Sequence, residues 1–170
     1  MATDRFRPIP RPEARERLGL DPGAPHVLFP SDPARPAKRF DLARQVSGDA
    51  RLLTLTGVDP QDVPLWVNAA NAVVMPSEAE GFGLAVLEAL ACDVPVLAGP
   101  VGIHPLALDG IAGTLCAPFD RERWRAALEP HLEAADPRVE GRARAELYSA
   151  RRMAERVATA WADLGLTSAT

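Results

Sequence analysis

Five short, mostly apolar runs punctuate the first part of the chain: HVLFP at 26–30, ARLLTLT at 50–56, NAVVMPS at 71–77, VPVLAG at 94–99 and GTLCA at 113–117. Runs this short and this apolar suit strands covered on both faces. The segments between them carry helical spacing instead. They are a stretch with Phe40, Leu42, Ala43 and Val46, one from Val63 to Ala70 with Asp62 placed to cap it, an apolar LAVLEALAC from residue 84, and a short one near 103–108. Strand and helix alternating in this way build βαβ units, and those build a parallel sheet. The expected fold class is α/β, a Rossmann-like parallel sheet of five or six strands with helices on both faces.

A chain of 170 residues with 47% apolar content supports one domain with a substantial core. Residues 1–12 hold three prolines and little periodicity, which reads as a linker or lead-in segment. A short helix over 13–18 ends at Gly19, and residues 13–135 form the main domain. Residues 136–170 read as C-terminal helices. A helix over 121–133 is expected with Asp120 as its cap, then another over about 138–164 with a break near 148–150. Met153, Val157, Trp161 and Leu164 share one face of that last stretch, while Trp66 and Trp124 read as core.

The formal net charge is −4, and arginines are interleaved with acids, which argues against a nucleic-acid surface. There is no apolar run long enough to span a membrane and no signal-peptide core, so a cytoplasmic location is expected. Cys92 and Cys116 stand in apolar stretches without a partner motif and read as buried reduced thiols; the three histidines show no ligand spacing. No cofactor or metal is expected.

The most informative stretch is PSEAEGFGLAVLEALACDVPVLAG, residues 76–99. It sets a strand end, an acid, a glycine turn, a helix and a second acid in that order. Gly81 and Gly83 can take backbone conformations closed to other residues and let a ligand approach the main chain. The helix starting near Leu84 then offers free N–H groups and the positive end of its dipole, which suits a diphosphate. Glu80 and Glu88 flank the turn and can face one crevice, where a carboxylate accepts from paired hydroxyls of a sugar or ribose.

Glu80-Gly-Phe-Gly-Leu-Ala-Val-Leu-Glu88 resembles the signature of family 4 of the retaining glycosyltransferases with the GT-B fold. The resemblance runs from DRFRP at 4–8 through LGL at 18–20, KRF at 38–40 and residues 63–83 to GTLCAPFD at 113–120. It implies one half of a GT-B fold, the half that binds a UDP-, GDP- or ADP-hexose. It assigns catalytic roles to Glu80 and Lys38, sugar and phosphate contacts to Gly81, Phe82, Gly83 and Leu84, and the nucleotide ribose to Glu88. Where the family pairs an Arg with the Lys on the first loop, this chain has Pro30-Ser31-Asp32-Pro33, leaving Arg35 or Arg39 to serve. The stretch between Gln45 and Asn71 lacks one strand-helix unit usual in the family, so Gly57 and Val58 are placed at the floor of a trimmed base pocket. Near residue 102 the family's Gly-Gly and Pro-Glu become Gly102-Ile103-His104-Pro105-Leu106, without the acid. His104 and Asp109 read as structural.

The resemblance further implies a separate N-terminal acceptor domain, in cis or in trans. The face of Met153, Val157, Trp161 and Leu164 then either docks on that domain or packs on this one. The expected activity is retaining hexosyl transfer, with this half alone binding donor only and membrane association, if any, arising through a full-length enzyme. The alternatives are a non-catalytic interaction module that recruits an acceptor-domain partner and a sugar-nucleotide epimerase, the last disfavoured by the lack of acid/base residues.

Overall fold

Each apolar run forms a strand in the computed structural model, which describes residues 3–164. The strands are β1 (His26–Phe29), β2 (Arg51–Thr54), β3 (Ala72–Met75), β4 (Val96–Ala98) and β5 (Leu115–Cys116). All pair in parallel, in the order β2-β1-β3-β4-β5. Helices connect them: α1 (Arg11–Leu18), α2 (Phe40–Ser47), α3 (Val63–Ala69), α4 (Leu84–Ala91), α5 (His104–Leu108) and α6 (Arg121–Glu133), followed by α7 (Arg142–Glu146) and α8 (Ala150–Asp163).

The alternation of each strand divides the core in two. Leu28, Val73, Met75, Val96 and Ala98 face one layer, where α4 contributes Val86, Leu87 and Leu90. Val27, Phe29, Ala72, Val74 and Leu97 face the other, against Ala43 and Val46 of α2 and Trp124 and Leu128 of α6. Both faces are covered because successive strand side chains point to opposite sides and both sets are apolar.

The order reverses between β1 and β3, since the chain leaves β1 for one edge and returns to build the other. Crossovers beginning on opposite sides at that point open a crevice at the carboxyl ends of the two strands, where sheets of this kind bind ligands.

Several details differ from the expectations. Asp62 does not cap α3 with its side chain: it already has helical dihedrals, φ −89° and ψ −13°, and contributes only its backbone carbonyl. The C-terminal helix begins at Arg142 rather than 138 and breaks over Leu147–Ser149, where the Ser149 hydroxyl caps α8 by accepting from the Arg152 amide. Residues 3–10 of the lead-in segment are packed, without regular structure: Phe6 is buried, Arg142 donates to the carbonyls of Thr3 and Phe6, and Arg138 to that of Ile9. Trp124 lies in the core and Trp66 is half-buried at its edge. Cys92 is buried and burial pushes its thiol up to about 12; Cys116 is only half-buried. No residue of α8 is buried, and Met153, Val157, Trp161 and Leu164 are exposed. The face does not pack on this domain.

Candidate functional site

Two loops meet at the switch point. A 3-10 turn at Pro36–Lys38 follows β1, and residues 76–83 follow β3. The Glu78 amide donates to the Ala37 carbonyl at 2.9 Å and ties them together. That contact brings Lys38 to Glu80: its ammonium donates to Glu80 Oε2 at 2.5 Å, and each side chain is 8% exposed. Desolvating two charges is costly even when they pair, so a buried ion pair at the carboxyl edge of a sheet calls for a reason beyond stability. Glu80 Oε1 is also buried and carries no hydrogen bond among the described residues. An unsatisfied buried acceptor typically costs about 1–3 kcal/mol.

The glycine turn rises directly beside this pair. Gly83, with φ 97° and ψ 47°, is the N-cap of α4, and left-handed dihedrals there are open to glycine at little cost. A side chain has no room either, since a Cβ on Gly83 would lie 2.8 Å from His104 Nε2. Gly81, expected to need the same freedom, has no positive φ and open space where a Cβ would be. The second constrained glycine is Gly102, with φ 56°, whose Cβ would strike the Phe82 carbonyl at 2.7 Å and Glu80 Cβ at 2.9 Å. Behind the turn the Ile103 amide donates to that same Phe82 carbonyl at 2.9 Å. The Val86 amide turns back to the Gly83 carbonyl at 3.3 Å, the Leu84 and Ala85 amides before it have no helical acceptor, and with the helix dipole they make the end of α4 attractive to an anion. Phe82 and Leu84 are exposed at its mouth.

The other expected residues fall around this centre. Glu88 stands in the second turn of α4, where burial pushes its carboxyl up and the charge of Arg5 opposes that shift; no hydrogen bond joins it to Lys38 or Glu80 among the described residues. Arg35 is exposed on the loop after β1. Arg39, its alternative as a diphosphate cation, is engaged with Asp41 and Glu78, whose hydrogen bonds raise its pKa. Gly57 (φ 76°) and Val58 form the turn leaving edge strand β2, Gly57 exposed and Val58 half-buried. A cavity of about 290 Å³ opens over the ends of β3 and β4, lined by Arg39, Ser77, Glu78, Gly99 and Phe119 among others.

His104, read as structural in the sequence, lies directly behind the glycine turn. It is wholly buried, with Nδ1 at 2.9 Å from the Gly99 carbonyl. Burial lowers its pKa; Glu80 counters this and Lys38 adds to it.

A strand, a glycine turn and a helix holding a Lys–Glu pair at the switch point form the centre of a region, residues 27–134, that matches the family described as Glycosyl transferases group 1. The chain belongs to this family. The glycosyltransferase domain is 35% identical over 175 residues to D-inositol 3-phosphate glycosyltransferase of Mycolicibacterium paratuberculosis, a match covering 84% of this chain and 40% of that protein. It is 40% identical over 105 residues to the protein of the same name from Mycobacterium avium, covering 61% of this chain and 25% of that one. The domain thus spans two fifths or less of these two relatives. Among solved structures, sucrose-phosphate synthase from Thermosynechococcus elongatus superposes with a TM-score of 0.72 at 24% identity, covering 99% of this chain and 52% of that one. HepE of Anabaena, solved in complex with UDP-glucose, superposes with a TM-score of 0.68 at 17% identity over 94% of this chain and 56% of that one. The fold is one Rossmann-like half of the GT-B architecture. No helix among the described residues is long and apolar enough to cross a membrane.

Proposed function

We propose that this glycosyltransferase domain binds a nucleotide diphosphate hexose at the Lys38–Glu80 pair and the glycine turn. Together with an acceptor-binding domain it transfers the hexosyl group with retention of configuration. The observation that carries the reading is the buried 2.5 Å ion pair set against the N-terminus of α4 at the switch point. The bond from the anomeric carbon to the β-phosphate oxygen breaks while the acceptor oxygen bonds to that carbon from the same face. The acceptor proton passes to the departing phosphate. Negative charge grows on that phosphate, and a cation fixed in place beforehand stabilises it without reorganisation.

Lys38 supplies that cation, and Arg35, free on its exposed loop, is the second. Glu80 accepts from the sugar hydroxyls, the backbone of Gly81 to Leu84 holds the phosphate, Glu88 holds the ribose, and Gly57 and Val58 lie under the base. Two features support a partner domain in cis or in trans: the part of the relatives' length that this chain spans, 40% in the first, and the bare apolar face of α8. Exposed apolar patches of this kind mark interfaces. That same face also favours the second reading, an interaction module without catalysis.

Calorimetric titration of UDP, GDP and ADP and of their hexose conjugates, into the parent chain and into Glu88→Ala, tests the proposal. Saturable binding of one base, lost in the variant, is the expected result. If none binds at ligand concentrations of about 1 mM, an affinity of only about −4 kcal/mol, the interaction module takes its place.

A further inference from the structure

We infer that His104 is a positioning residue of the donor site, setting through its imidazole ring how the glycine turn presents its amides to an anion. The inference rests on the reading of that turn as the diphosphate cradle. A carbonyl only accepts, so the 2.9 Å contact with Gly99 places a hydrogen on Nδ1 and leaves Nε2 of the neutral ring with its lone pair. Nε2 is buried, has no hydrogen bond among the described residues, and abuts Gly83: a Cβ there would lie 2.8 Å from Nε2 and 2.9 Å from Cδ2. The ring therefore fills the space behind the residue that caps α4.

The rest of the segment backs the same turn. Gly102 seats the Phe82 carbonyl and the β-carbon of Glu80, and the Ile103 amide holds that carbonyl at 2.9 Å. Of these backing contacts only the histidine can change charge between about pH 5 and 8. The charged groups acting on it are Glu80, from the loop after β3, and Lys38, from the turn after β1; the former favours the protonated ring and the latter disfavours it. Neutral, the ring directs a lone pair at the backbone of an anion site. Protonated, it places an N–H and a positive charge beneath that site. Anion affinity at the turn accordingly rises as pH falls through the depressed pKa of His104.

The test titrates the hexose conjugates of UDP, GDP and ADP, whose diphosphates have no ionisation in that range, into the full chain across about pH 5 to 8. The parent is compared with His104→Asn, whose amide nitrogen replaces Nδ1 as donor to Gly99 but stops short of Gly83, and with His104→Gln, which reaches toward Gly83. Expected are an affinity for the parent that tightens toward acid, and for His104→Asn a loss of about tenfold with a flat pH profile and an unchanged unfolding midpoint. His104→Asn with the parent's affinity and pH profile overturns the inference and reduces His104 to a structural tie. Should both variants fail to fold, NMR of the parent decides: the Gly83 and Leu84 amides are expected to titrate with the midpoint of the His104 ring, and independent midpoints overturn it. A parent that binds none of the conjugates overturns the functional reading and this inference together, whereas the other outcomes leave the functional reading standing.

Discussion

Lys38 and Glu80 are 42 residues apart in the chain and 2.5 Å apart in space. Each was legible as a candidate, Glu80 from the glycine turn that follows it and Lys38 from the family resemblance of the loop after the first strand. Their pairing was not, because it depends on the two crossovers meeting at the switch point. A prediction follows from their burial. Lys38→Met leaves an uncompensated buried carboxylate and should cost about 3–5 kcal/mol, read as a lower urea midpoint. Adding Glu80→Leu removes that charge and should recover most of the loss without restoring nucleotide binding. Recovery of both would make the pair structural, with no part in the site. The contacts of the His104 ring, a residue read as structural in the sequence, were illegible for a different reason: the ring meets Gly83 and the Gly99 carbonyl, and nothing in the spacing of IHPL announces that.

At the scale of elements, apolar runs and capping residues located most boundaries. Asp120 behaves as expected, its carboxylate accepting from the Arg123 amide at 2.8 Å at the start of α6. Asp120→Ala should therefore destabilise the chain by about 1 kcal/mol, measured as a shift in the denaturant midpoint, with no effect from Asp62→Ala beyond the noise of a surface substitution. An equal cost for the two would contradict the capping difference. Asp62 looked equivalent in sequence and differs only because the backbone before Val63 has already turned helical. The break between α7 and α8 carries no glycine or proline, yet it falls at 147–149, beside the expected 148–150. What ends α7 there is tertiary: Ala145 is buried against α4 while no residue of α8 is buried.

For the whole molecule, the bare α8 is the main feature that one domain does not explain. A chain ending at Ser149 should unfold within about 2 °C of the full chain, since α8 contributes no buried residue and each kcal/mol moves a protein of this size by about 2–4 °C. A drop of more than about 5 °C would mean that α8 packs on this domain after all. The α/β class, the parallel sheet and the glycine-turn signature were determined by sequence alone, because periodicity, apolar runs and adjacent motif residues are local properties of a chain. Tertiary structure alone decided the strand order with its switch point, the joining of Lys38 to Glu80, the ring of His104 behind Gly83 and the exposure of α8. Each of these is a relation between segments far apart in sequence, set by which faces must be covered and which loops the covering brings together.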